Sequence, residues 1–427
     1  MFKRYKIISL LLVLILLTSC GAPATTIAPT APAIEEAMSP VSIVRHPGPV
    51  DYSDNYLELT SIPKFDPNST DPWQIDLRSR DLTKIDMTDS LADLMYADFD
   101  SKTQWPSSDK MPVGFDWQKI MEFGNDPGLG MRALHEQGFT GKGVGIAIID
   151  QTLLVDHIEY KDQIRVYEEA ADVTGGWVQT SMHGPAVASI AVGKTVGVAP
   201  EADLYFIAHG SCGIETINIA DWDFSCLAQA IRRVIEINKS LPSDRKIKVI
   251  SMSIGWTPEN IGYKEIMDAV NEAKSAGIFV ISTSLGGTYE LYFHGLGRYP
   301  LDDPNSFEPY IPGIWWVNNF YAGKPMNRYS GDGNKPTLLI PMDSRTTASL
   351  TGTEDYAFYR VGGWSWSVPY LAGTYALAVQ VKPDITPEEF WAIALETGKT
   401  TQITHDGKDY SFGVILDPQA LIAALQK

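Results

Sequence analysis

Gly141-Lys142-Gly143-Val144-Gly145-Ile146-Ala147-Ile148-Ile149-Asp150 is the stretch on which the fold turns. From position 144 to 149 it is apolar apart from one glycine and rich in β-branched residues, the mark of a strand buried on both faces. Similar runs return at residues 203–208, 248–252 and 278–282. Between them, residues 227–237 and 266–276 carry apolar side chains at three- and four-residue spacing, as a helix with one buried face requires. Strand–helix–strand alternation predicts an α/β fold, a doubly wound, mostly parallel sheet with helices on both faces. The glycines at 141, 143 and 145 precede or open the strand, whereas a phosphate-binding loop must follow a strand and open a helix. A nucleotide site is therefore excluded there. What remains is Asp150 at the carboxyl end of a buried strand, the edge where open α/β sheets bind ligands. Taken alone, a carboxylate in that position is as a rule a turn or cap residue.

Two further segments carry chemistry-bearing side chains. In Ser181-Met182-His183-Gly184-Pro185-Ala186-Val187-Ala188-Ser189-Ile190-Ala191, Pro185 suits the first turn of a helix and puts His183 at its entrance. The small residues that follow allow this helix to lie close to the sheet. In Gly362-Gly363-Trp364-Ser365-Trp366-Ser367-Val368-Pro369-Tyr370-Leu371-Ala372-Gly373, paired glycines precede a small, apolar helix. A hydroxyl at a helix entrance can act as a nucleophile, with free backbone N–H groups facing a developing anion. Each segment alone has a structural reading: a packed histidine, and a serine that caps a turn.

Taken together, in the order Asp, His, Ser, the three segments resemble the catalytic blocks of the subtilisin-like serine peptidases. Gly197-Val198-Ala199-Pro200 after the His segment adds to the likeness, as do Val249-Ile250-Ser251-Met252-Ser253-Ile254-Gly255 and Gly413-Val414-Ile415-Leu416-Asp417. The resemblance covers about residues 126–425. It implies Ser365 as nucleophile, His183 as general base and then acid, and Asp150 as the carboxylate that orients the imidazole. It also implies that Ser253, Ile254 and Gly255 line the substrate cleft, that the substrate is a peptide or protein, and that no cofactor is needed. Ser367 reads as structural, and His135, His209 and His294 as packing or surface residues.

The pattern breaks at the oxyanion hole, where the family carries an Asn side chain after a buried strand. Here Ser282-Thr283-Ser284-Leu285-Gly286-Gly287 occupies that place, and the Asn position falls at Gly286. Loss of one such donor costs about 2.7–4 kcal/mol in the transition state, so slow hydrolysis is expected unless Ser284, Thr288 or a backbone N–H substitutes. A protein that keeps the cleft but is catalytically impaired, serving as a cell-surface binding or scaffold protein, is the alternative. Pro185 stands where a Thr is usual, and Trp364 and Trp366 flank the serine where smaller residues are typical. The short connection at 191–196 lacks room for a calcium loop, and no metal site is expected.

The amino terminus sets location. Lys3, Arg4 and Lys6 precede an apolar run at 7–17, shorter than the roughly 20 residues that span a bilayer. The ending Leu17-Thr18-Ser19-Cys20 resembles a bacterial lipoprotein signal, which implies cleavage before a lipidated Cys20 and a membrane-anchored, extracytoplasmic protein. The expected organisation is a signal peptide at 1–19, a Pro/Ala/Thr-rich tether at 20–50, an extension at 51–125 and the peptidase domain at 126–427. Within the extension Leu77, Leu82 and Met87 recur every five residues; a repeat-like stub, a propeptide and a segment wrapped on the main domain are all compatible with this. The whole chain of 427 residues carries 34 basic and 52 acidic residues, a formal net charge of −18. Such a balance argues against a nucleic-acid partner, which needs clustered Lys and Arg. Three cysteines are too few for a disulfide scaffold, but an exported chain favours a bridge between Cys212 and Cys226.

Overall fold

The computed structural model describes residues 42–52, 59–69, 71–170, 181–210, 222–324 and 335–427. The signal peptide, Cys20 and Cys212 lie outside them. The central element is a six-stranded sheet in the order Ser42–Ile43, Ile164–Glu169, Asp203–Ala208, Gly145–Asp150, Ile247–Met252, Phe279–Ser282, with every pair parallel. The four expected strands are all present, shifted by no more than one residue at an end.

Their alternation shows why both faces need covering. Ile146, Ile148, Leu204 and Phe206 enter one hydrophobic cluster, together with helices His183–Val192 and Trp364–Val381. Ala147, Ile149, Tyr205 and Ile207 enter a second, built against helices Ser225–Ser240 and Tyr263–Ser275. A period of two on the strands therefore meets helices on each side, which gives the α/β architecture expected from the sequence. At the carboxyl end of the chain, the Thr386 hydroxyl accepts from Glu389 N (3.2 Å) to start helix Pro387–Thr397. Asp417 does the same for Ala420 N (2.9 Å) at helix Pro418–Leu425.

The expected tether ends earlier than residue 50. Ser42–Ile43 is an edge strand on Ile164–Glu169, and Arg45 Nε donates to Glu169 Oε1 (2.6 Å), so this part of the segment is tied to the sheet. Main-chain pairing and one ion pair outweigh the Pro-rich composition at this point.

The extension is built into the same body. A four-stranded sheet runs Arg345–Ala348, Tyr356–Tyr359, Ala97–Asp100, Ile75–Asp76, so two strands from the extension complete a hairpin that lies far along the chain. The five-residue spacing has a physical expression here. Leu77 N, Leu82 N and Met87 N donate to the carbonyls of Asp98, Gln104 and Lys110, each at 2.8 Å. All three side chains are fully buried. Between them Asp81 and Asp86 each accept from the backbone N–H two residues on, at Thr83 and Thr88 (3.0 Å). Each short turn thus returns the next apolar residue to the interior. Phe99 seals the junction, its ring 5.0 Å from Phe358, 5.4 Å from Trp105 and 6.2 Å from Phe115.

Because Phe99 is wholly buried at this seam, Phe99→Ala is expected to lower stability by about 3–5 kcal/mol. Urea denaturation would measure it, and a loss below about 1 kcal/mol would contradict an extension that folds as part of the domain.

Candidate active site

Asp150 closes the central strand at its carboxyl end, and helix His183–Val192 begins alongside it. The loop and the helix are held together by short polar contacts. Ser181 N donates to Thr152 Oγ1 (2.9 Å), the Ser181 hydroxyl bonds Gln151 Oε1, and His183 N donates to Ser181 Oγ (3.1 Å). Gly184 allows the approach, since a Cβ there would collide with the carbonyl oxygens of Gln151 and Thr152. The consequence is a 2.6 Å hydrogen bond between His183 Nδ1 and Asp150 Oδ1, with Asp150 also accepting from Gln151 N (2.8 Å). This bond fixes the imidazole with its proton on Nδ1 and leaves Nε2 as the acceptor.

Ser365 stands at the entrance of helix Trp364–Val381, after Gly363, whose φ of +66° is a conformation that L side chains rarely adopt. Pro369 shapes this helix start. It has no N–H, so the helical bond it would give to the carbonyl of Ser365 is missing, and Ser253 Oγ donates to that carbonyl instead (2.8 Å). In return Ser365 Oγ donates to the Ser253 carbonyl (3.3 Å). The serine hydroxyl is thus turned toward Ser253, with no hydrogen bond to His183. The two side chains nevertheless line one cavity of about 440 Å³, and Trp366 packs edge-on to the imidazole at 5.5 Å.

Ser253, Ile254 and Gly255 follow the strand Ile247–Met252 directly, and Thr283 N donates to the Ile254 carbonyl (3.0 Å). Gly286 lies in the short helix Leu285–Tyr289 and, with Ser284 and Trp256, lines a second cavity of about 530 Å³. Neither hydroxyl considered as a replacement for the missing amide is free. Ser284 Oγ donates to Trp256 O and accepts from Trp256 N, both at 2.7 Å, while Thr288 Oγ1 bonds the carbonyls of Ser284 and Leu285. The remaining candidate is backbone: the N–H of Ser365, in the first turn of helix Trp364–Val381.

The other singled-out groups are structural. Ser367 is buried and donates to Ile340 and Pro341 carbonyls. His135 Nε2 bonds the Val198 carbonyl (2.8 Å), and His209 Nδ1 lies 2.5 Å from the Gly210 carbonyl. His294 is buried and stacked on Trp316, and burial lowers its pKa to about 4. Cys226 is disulfide-bonded; its expected partner lies outside the described residues. Among the described residues no group of three or more His, Cys, Asp or Glu could hold a metal, and no helix is long and apolar enough to cross a membrane.

One set of residues was not legible in the sequence. Trp73, Asp76, Arg78 and Asp98, all from the extension, line the cavity that holds His183 and Ser365. Trp73 Nε1 donates to the Val361 carbonyl (2.9 Å), and Arg78 Nη1 donates to the Tyr359 hydroxyl (3.0 Å). The only hint is a tryptophan set in a polar coil, which has no periodicity to interpret.

The model of the subtilase family matches residues 141–414. The serine protease AprX of Bacillus subtilis is 25% identical over 65% of this chain and 66% of its own length. Subtilisin E of the same species is 26% identical over 60% of each chain, and the extracellular serine proteinase of a Thermus strain 25% over 65% and 60%. The chain thus spans less than two thirds of the length of each of these relatives.

Burial opposes a charged imidazole, but the Asp150 charge and hydrogen bond outweigh it and raise the His183 pKa above its ordinary 6.5. A raised folded-state value adds stability that is complete below the unfolded value and fades as pH rises through the folded one. In Asp150→Asn the His183 imidazole should titrate at lower pH, as followed by NMR. An unchanged titration would show that Asp150 does not set its basicity.

Proposed function

Because the chain belongs to the subtilase family, we propose that it hydrolyses peptide bonds as a serine endopeptidase through an acyl-enzyme. The observation that carries this reading is the 2.6 Å His183–Asp150 bond in the same cavity as Ser365. A serine hydroxyl is a weak nucleophile until an imidazole takes its proton. Rotation of Ser365 Oγ away from the Ser253 carbonyl frees it to give that proton to His183 Nε2 as it attacks the substrate carbonyl carbon. Asp150 stabilises the resulting imidazolium, which returns the proton to the leaving amine. Water then attacks the acyl-enzyme with His183 again as base, releasing the acid and restoring Ser365.

Negative charge on the carbonyl oxygen is met by the Ser365 N–H at the helix entrance. With glycine at 286, one donor fewer faces it, so turnover is slow relative to a site with both. The same absence, with the hydroxyl held by Ser253, favours a second reading in which the cleft binds without cleaving. An extracytoplasmic position on a lipid-modified Cys20 is part of the proposal and rests on Leu17-Thr18-Ser19-Cys20 and the basic, apolar segment before it.

A fluorophosphonate probe distinguishes the two readings. Labelling of the intact protein between about pH 6 and pH 9, abolished in Ser365→Ala and His183→Ala, is the expected result; no labelling in the wild type supports binding without cleavage. Gly286→Asn should raise the labelling rate and kcat by about ten- to a hundred-fold, and an unchanged rate would show that the missing amide is not what slows the site.

A further inference from the structure

We infer that the amino-terminal extension supplies a subsite for the leaving half of the substrate, with Trp73, backed by Trp315, as the aromatic surface that selects an aromatic or large apolar residue immediately after the cleaved bond. This rests on the serine-peptidase reading above. The imidazole that protonates the leaving amine must lie beside it, so the leaving half occupies the cavity that contains His183. That cavity is the one bounded by the extension. The cavity at Gly286 and Ser284 includes neither His183 nor Ser365.

The chemistry of the walls selects the occupant. Arg78 and Asp76 pair with each other, and Asp98 is buried. Arg78 places Nε and Nη2 on the two oxygens of Asp76 (2.8 Å each) and its remaining arm on Tyr359, while Asp98 accepts from Arg360 N (2.7 Å). Arg78 and Asp76 are thus not left to hold an ion on a substrate. What the mouth presents is aromatic surface. Trp73 is 49% exposed and Trp315 43%, with ring centroids 5.1 Å apart and planes tilted by 60°. Large apolar side chains left this open beside a nucleophile indicate contact with something that arrives. Trp73 is fixed in place by its bond to Val361, two residues before Gly363. Trp315 lies beside Gly363, since a Cβ built there would come within 3.9 Å of its Nε1.

The test is digestion of a reduced and denatured casein mixture by the purified full chain, with the residues on both sides of each cleaved bond read by mass spectrometry. Active sites are counted with the fluorophosphonate. The wild type should enrich Phe, Tyr, Trp, Leu and Met just after the cut by about ten-fold over their abundance, the discrimination expected of one apolar pocket. Trp73→Ala should remove that enrichment while the preference before the cut persists. Should this variant not fold, Trp315→Ala, which removes the ring packed on Trp73, carries the same expectation. Cleavage without enrichment, or enrichment that survives both substitutions, would overturn the subsite and leave the peptidase reading standing. Absence of both labelling and cleavage in the wild type would remove the peptidase reading and the subsite with it.

Discussion

The site depends on one contact: a charge-assisted hydrogen bond between a carboxylate at the end of the central strand and an imidazole at the start of the next helix on that face. Such a bond needs both partners held to within a few tenths of an ångström, and neither side chain can do that for itself. The strand is immobilised by neighbours on both edges and by apolar clusters on both faces. The helix is brought against the Asp150 loop by Gly184 and by the Ser181 hydroxyl. Precision at the bond is therefore inherited from the interior of the sheet.

Ser365, the proposed nucleophile, is placed by a different device. Helix Trp364–Val381 carries a proline one turn after Ser365, and the deleted backbone bond is replaced by a hydroxyl from the neighbouring Ser253. This ties the serine's main chain to the segment expected to bind substrate. The side chain is tied there too, through the same residue's carbonyl. Both the main chain and the side chain of Ser365 are thereby anchored to two atoms of Ser253.

Much of this was legible in the residues themselves. The run ending in Asp150 declares a strand buried on both faces, because every position from 144 to 149 is apolar or glycine. His183 and Ser365 were legible through what stands around them, Gly184 and Pro185 in one case, Gly363 and Pro369 in the other. The role of the extension was not. Trp73 and Arg78 meet Val361 and Tyr359 across more than 280 positions, and no local period records a partner so distant. The five-residue spacing of Leu77, Leu82 and Met87 announced an interior without saying whose. Nor could composition reveal that Ser42 already belongs to the sheet, since a two-residue edge strand is held by main-chain pairing.

The shared sheet also imposes an order on folding. Strands Ile75–Asp76 and Ala97–Asp100 leave the ribosome early, yet the hairpin that flanks them is translated some 250 residues later. Until then the outer edge of Ala97–Asp100 presents unpaired backbone donors and acceptors. Closing so long a loop taxes the rate more than the final stability. A nascent chain of this protein therefore carries an open strand edge until residues 345–359 have been made.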